Sequence, residues 1–304
     1  MQPMRGIMCK LLSVVMFIAM SALIKATAQH VPPGEAVFFR SAFAIPVIIG
    51  FLWYTGDLKH GVGTKNPWGH LWRAVIGTTS MVLIFAALGY LPLPEATAIG
   101  YGAPLLLVIF AAIILGEKVG PWRYGAVFLG LIGVLIVIWP RLTLSEMGGA
   151  HMIGVAIALG GAVCNALAQV TVRYLVRVER TTTIVFWFSF NAALLALLTI
   201  PFGWVIPTWP EAAMLVMAGL LGGGAQILLT SSYRFADASV VAPFEYASIL
   251  FALIIGYVAF DEVPTWAVIG GAGLVTFAGL LIVWRERQLG LERNRQRKAM
   301  GPSA

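Results

Sequence analysis

The sequence predicts an all-α polytopic membrane protein, with about ten transmembrane helices in two inverted five-helix repeats. Three observations carry this prediction. Apolar side chains make up 60% of the 304 residues and charged ones 11%, with a mean hydropathy of +0.89, far from the composition of a soluble domain. The apolar residues gather in runs of about 20, the length that crosses a hydrocarbon core of about 30 Å. The two halves of the chain also align with each other.

Between Gly, Pro and charged breaks, the runs fall near 7–28, 34–54, 70–91, 94–115 and 121–139, then 152–175, 182–203, 211–233, 238–260 and 264–284. The first run imitates a signal peptide: Arg5 and Lys10 precede Leu11 to Ile24, and Ala26-Thr27-Ala28 resembles a cleavage site. Lys25 interrupts that pattern, and the repeat needs this segment, so a retained helix is expected. With the N-terminus cytoplasmic, 17 of the 20 basic residues lie on the cytoplasmic side, including Lys10, Arg73 and six in the tail, against Lys25, Arg40 and Arg141 opposite. That asymmetry predicts both termini in the cytoplasm of a bacterial-type inner membrane, and so an even number of spans. It also explains the net charge of +7 without a nucleic-acid groove.

The halves align from Gly6 to Trp53 against Gly154 to Trp204, each with a basic residue, Lys25 or Arg173, at the end of its first span. Gly77 matches Gly219, and 'PEATAIGYGAP' from Pro94 matches 'ADASVVAPFEY' from Ala236. The blocks ending in Glu117 and Glu262 then correspond, and both glutamates are expected to make helix-end contacts. The predicted units are residues 1–140, residues 152–284 and a basic tail, 285–304. Five spans per unit is an odd number, so the second copy enters the membrane in the opposite sense. That architecture recurs in secondary transporters, with the substrate site near the midplane.

The segment 'LPLPEATAIGYGAPLLLVIFAAIILGEKVGPWRYGAVFLGLIGVLIV' from Leu91, with its weaker partner from Ala236, resembles the drug/metabolite transporter superfamily in its EamA branch. The resemblance covers nearly the whole chain. It implies a ten-helix, two-repeat carrier of a small metabolite that uses neither metal nor nucleotide. Members of the branch are associated with riboflavin or S-adenosylmethionine uptake, and 'APFEY' is similar to segments found there. The family's substrates are diverse, so the class is implied and the cargo is left open.

A charge at membrane depth costs at least about 2.5–3.5 kcal/mol, so each one implies an internal partner or a wet cavity. Arg40, in the second span, could clamp a carboxylate or phosphate; alternatively it pairs with Glu35 or Glu95, or snorkels outward. Glu245, just past Pro243 in the ninth span, could bind a coupling proton or cation, or else pair with a buried partner. Asn165 and Gln169 share one helical face, as do Gln226 and Thr230. Asn165, Gln169 and Gln226 are therefore predicted to line one water-accessible cavity, with interhelical hydrogen bonds as the alternative. Ser13, Phe17, Ser21 and Lys25 form a stripe on the first span. Tyr101, Tyr246 and Trp187 could stack on a flat cargo or simply pack. Gly219 and Gly223 form a GxxxG pair suited to close helix approach, and Pro104 and Pro243 each interrupt a span.

No Walker A motif, HExxH or GxSxG occurs, and His30, His60, His70 and His151 fall in or beside predicted loops. Cys9 and Cys164 have no second ligand at metal spacing. No cofactor, metal site or enzymatic activity is therefore expected. The competing functions are a membrane-embedded enzyme acting on a lipid-linked substrate, which would need clustered acids or metal ligands, and a non-transporting assembly factor, which would need a long interaction segment.

Overall fold

The computed structural model describes residues 3–56, 58–114, 120–143, 148–176, 178–235 and 241–299. Regular structure among these is helical throughout. The helices are α1 (Pro3–Thr27), α2 (Pro33–Ala42), α3 (Ala44–Tyr54), the short α4 (Leu58–Val62), α5 (Pro67–Tyr90), α6 (Leu93–Gly100), α7 (Gly102–Ile114) and α8 (Pro121–Thr143). The second half holds α9 (Gly148–Leu175), α10 (Thr181–Leu197), α11 (Trp209–Phe235), α12 (Ala247–Phe260) and α13 (Trp266–Ala299), with a 3₁₀ turn over Ala242–Tyr246 leading into α12.

Seven segments are long and apolar enough to cross a membrane: Met4–Thr27, Pro33–Tyr54, Pro67–Tyr90, Leu93–Ile114, Gly149–Val172, Trp209–Ser232 and Trp266–Arg285. Three shorter apolar helices accompany them, Tyr124–Trp139, Thr181–Leu197 and Phe244–Phe260. Most boundaries lie within about a turn of the sequence reading; the larger differences are at the start of the ninth span, where a 3₁₀ turn precedes the α-helix, and at the ends of the seventh and tenth. The run expected to reach residue 203 leaves its helix at Leu197 and closes in a 3₁₀ turn, Ile200–Phe202, with Gly203 at φ 95°. The final helix continues beyond residue 284 as far as Ala299.

Local chemistry sets the helix starts and breaks. Pro33, Pro67 and Pro121 each open a helix, where the missing N–H has no partner to lose. Asn66 caps α5 by accepting the Gly69 N–H at 3.0 Å. Within two spans the chain breaks at a single residue, Phe43 between α2 and α3 and Tyr101 between α6 and α7. Pro46 and Pro104 lie three residues beyond these breaks; each lacks the N–H that would bond the carbonyl four residues earlier, at Ala42 and Gly100.

The most extensive helix pairings are α1 with α11, α5 with α9 and α8 with α13. Glycine permits the close ones. A Cβ on Gly219 would lie 2.8 Å from the Phe39 carbonyl, and one on Gly223 would lie 3.1 Å from the Ala44 Cα, so the GxxxG face of α11 seats α2 and α3. Gly133 and Gly271 bring α8 and α13 together backbone to backbone.

Large aromatic side chains left exposed cluster at the helix ends. Trp53, Tyr54, Trp68, Trp72 and Trp122 flank the turns α3–α5 and α7–α8, while Trp139, Phe202, Trp209 and Trp266 flank the opposite turns. Two such belts mark the headgroup levels of a bilayer.

Candidate substrate cavity and closing pair

Two cavities between the helices divide the candidate residues. The larger, about 280 Å³, is lined by Lys10, Ser13, Phe17 and Ser21 of α1, Thr97 and Tyr101 at the α6–α7 break, Asn165 and Gln169 of α9, and Glu245 and Ser248 before and on α12. The spacing of Asn165 and Gln169 thus delivers both amides to one wall, and the α1 stripe supplies the facing wall.

Charge enters this cavity as a pair. Lys10 Nζ donates to Glu245 Oε2 at 3.1 Å, with the lysine side chain 3% exposed and the glutamate 48%. Lys10 had been assigned to the charged flank of the first span. That assignment is corrected: α1 starts at Pro3, so Lys10 lies two turns inside the helix, where Glu245 offsets its charge. One turn on, Ser13 donates to the Ala225 carbonyl at 2.9 Å and fastens α1 to α11.

The break at Tyr101 turns its phenol toward the same place. Its hydroxyl donates to the Glu245 carbonyl at 2.5 Å and also meets Ser248 Oγ. The Tyr101 and Tyr246 rings lie 4.9 Å apart. Tyr246 itself lines neither cavity; its hydroxyl end occupies the space that Gly279 leaves open on α13. Of the two readings for Tyr246, this placement is the packing one. The same holds for Trp187, whose Nε1 donates to the Val62 carbonyl at 2.9 Å and whose ring packs among His70, Phe186 and Phe190. Trp187 anchors the segment between α4 and α5, and it too lines neither cavity.

The smaller cavity, about 110 Å³, lies among α2, α3, α5, α9, α10 and α11 and holds Arg40 and Gln226. Gln226 thus parts from Asn165 and Gln169, which corrects the single cavity predicted for the three. Spacing fixes the face a side chain occupies and leaves open which neighbour that face meets. Arg40 is buried, over the Phe188 ring at 5.9 Å. It does not take the partners suggested for it: Glu35 accepts the Val205 N–H at 3.1 Å, and Arg40 Nε and Nη1 have no hydrogen-bond partner among the described residues. Arg73, also expected at the surface, lies beside it with its guanidinium 4.1 Å from the Phe188 centroid.

At the end of the bundle where α1 finishes, polar contacts join α1 to α5, α6 and the end of α12. Lys25 Nζ meets Glu262 Oε1 at 2.9 Å and donates to the carbonyls of Leu88 and Leu91 at 3.2 and 2.6 Å. The other Glu262 oxygen accepts the Leu93 N–H at 2.8 Å. Glu262 is aimed by the end of α12, where Asp261 takes φ 54° and the Glu262 N–H bonds back to the Gly256 carbonyl. The expected helix-end contact of Glu262 is thus made. Glu117 and residues 236–240 lie outside the described residues, as do the side chains of Arg173 and Arg141. His70, expected beside a loop, is buried, with Nε2 3.7 Å from Glu179.

The chain matches the EamA-like transporter family twice, over residues 4–139 and 152–284. It belongs to that family, within the drug/metabolite transporter superfamily. Among relatives, it is 31% identical over 262 residues to a riboflavin transporter of Rhizobium johnstonii, covering 84% of this chain and 82% of that one. A pseudopaline exporter of Pseudomonas aeruginosa is 29% identical over 90% of this chain and 94% of its own. An S-adenosylmethionine uptake transporter of Rickettsia bellii is 26% identical over 93% of this chain and 94% of its own. A solved crystal structure shares the fold at a TM-score of 0.66 and 22% identity, covering 93% of this chain and 98% of that one.

Lys10, Thr97, Ser248 and Arg73 belong to these sites and were not singled out from sequence. Lys10 and Arg73 were assigned to the topology signal by their nearness to span ends. The first run read from sequence begins at residue 7, so only the helix start at Pro3 places Lys10 two turns in.

Proposed function

We propose that this EamA-family chain is a secondary transporter that moves a small organic metabolite, of the amino acid, vitamin or nucleotide-like kind, across a bacterial-type inner membrane. The observation that carries this is the cavity of about 280 Å³ with the Lys10–Glu245 pair at its edge and Asn165, Gln169 and Tyr101 on its walls. Its size falls near the lower end of the roughly 300–1,000 Å³ common for organic ligands. A charged pair beside neutral amides suits a cargo that itself carries polar or charged groups, since desolvating those ions without a replacement partner would be costly.

In this proposal the seven long and three short apolar helices are ten spans, grouped as residues 1–140 and 152–284, with the tail 285–304 and the N-terminus both cytoplasmic. Support for an inverted repeat comes from the helix pairings, which are preserved when the halves are exchanged: α1 against α11 becomes α9 against α5, while α8 and α13 pair with each other. Transport follows by alternating access. The Lys25–Glu262 contact closes the cavity on one side, and the Glu245 side, where water reaches the carboxylate, is the open one. The named relatives include an uptake transporter and an exporter, so direction is assigned by experiment rather than by kinship.

The test is a thermal-shift screen of the purified protein against amino acids, flavins and nucleosides, followed by counterflow of the stabilising compounds in proteoliposomes. A ligand of the native state raises the melting temperature. Counterflow of such a compound supports the proposal; compounds that stabilise the protein and never cross overturn it.

A further inference from the structure

The cavity of about 110 Å³ is far below the size that suits an organic metabolite, yet it holds two guanidinium groups. Arg40 comes from α2 and Arg73 from α5, and both lie against the same Phe188 ring, at 5.9 and 4.1 Å. Both line this one cavity. On each of them Nε and Nη1 are buried and have no hydrogen-bond partner among the described residues. A buried, unsatisfied donor costs about 1–3 kcal/mol and a charged one more, and two like charges add to that. Nothing described in the cavity offsets them: Gln226, Ser189 and Thr181 are neutral, and the remaining lining is apolar.

The surroundings also look shaped for these groups. A Cβ on Gly77 would run into Arg73 Nη1 and lie 2.7 Å from the Phe188 ring, so glycine one turn along α5 makes the space in which the guanidinium lies. On α11, Gly222 brings the backbone close to Arg40, with a Cβ there 3.3 Å from Nε. Planar N–H forks, paired and desolvated, match the oxygen pairs of carboxylate, phosphate and sulfate.

We propose that this pocket binds one small oxyanion, such as phosphate, sulfate or a compact carboxylate, between Arg40 and Arg73, at a site separate from the cavity at Lys10–Glu245. The bound anion supplies the missing acceptors and joins α2, α5, α10 and α11. The site stands whether or not the larger cavity carries cargo.

The test uses the purified full-length protein in non-ionic detergent, delipidated and exchanged into sodium chloride. Phosphate, sulfate and formate are titrated at constant ionic strength while the melting temperature is read, with calorimetric titration of phosphate alongside. A saturable rise of roughly 2–5 °C and a stoichiometry of one are expected. The rise should vanish in R40Q and R73Q and persist in K10M, whose change lies in the other cavity. If a Gln variant does not fold, R73K keeps the charge without the fork and should weaken phosphate at least about tenfold. An unchanged melting temperature with no calorimetric signal in the native protein overturns the proposal. So does a response lost in K10M but kept in R73Q, or one obtained with phosphatidylglycerol and not with free anions.

Discussion

At the scale of single residues, the position of a charge along its helix decides its role. Lys10 and Glu245 are 235 positions apart and meet at 3.1 Å. The glutamate was visible in the sequence as an intramembrane acid, while its partner was hidden among the flanking basic residues. No one-dimensional pattern pairs a lysine of the first helix with a glutamate of the ninth span; only the packing of α1 against the turn before α12 does so. Glu245 is half exposed in the cavity, so in this proposal the pair remains open to competition by cargo. Glu245→Gln keeps the shape and removes the charge. It should lower proteoliposome transport by at least about tenfold, or about 1.4 kcal/mol, while the protein still inserts and melts cooperatively. Full transport by a folded Gln variant at every pH would make the carboxylate dispensable.

At the scale of elements, the helix runs were legible because the bilayer demands long apolar segments, and Pro104 announced the break that places Tyr101. The loop contacts were not legible. Glu179, between α9 and α10, accepts hydrogen bonds from Thr64 Oγ1 and the N–H groups of Lys65 and Asn66 at 2.7, 2.7 and 3.0 Å, so it clamps the α4–α5 turn to the α9–α10 turn. Partial desolvation pushes its carboxyl upward, but the Thr64, Lys65 and Asn66 bonds outweigh it and hold the group below its ordinary 4.5. A depressed carboxylate stabilises the folded state above its unfolded value, and that stability is lost as pH falls through the lower folded value. The clamp should therefore be whole at neutral pH and fail only below about pH 4.5. Glu179→Gln should destabilise at pH 7 by about 1–3 kcal/mol and lose little further on acidification. Melting curves of both proteins from pH 7 to 3 check this; parallel curves would show that Glu179 is not the acid-sensitive contact.

At the scale of the whole molecule, the two family matches, residues 4–139 and 152–284, fall on the two halves of the chain, and the helix pairings support the proposed repeat. The repeat was readable in part from Gly77 and Gly219, each of which lies against the other half, at Phe188 and at Phe39 and Phe43. The division of polar residues between two cavities was not readable, because exchanging the halves leaves open which neighbour a polar face meets: Asn165 turns to α1, while Gln226 turns to Arg40. Function on this account is the alternation of one cavity between two faces, with Lys25–Glu262 as the contact that holds one face shut.

The measurement that tests this most directly is the sidedness of a single cysteine, Gln169→Cys, in a chain with Cys9 and Cys164 replaced by serine. A membrane-impermeant maleimide is added to right-side-out or inside-out vesicles. With the Lys25–Glu262 contact intact, labelling should come from the Glu245 side, the cytoplasmic face reached in inside-out vesicles. With Lys25→Met and Glu262→Gln together, a substantial share of the labelling should pass to right-side-out vesicles. Labelling from one side only in both proteins, or from neither, would contradict alternating access through this cavity.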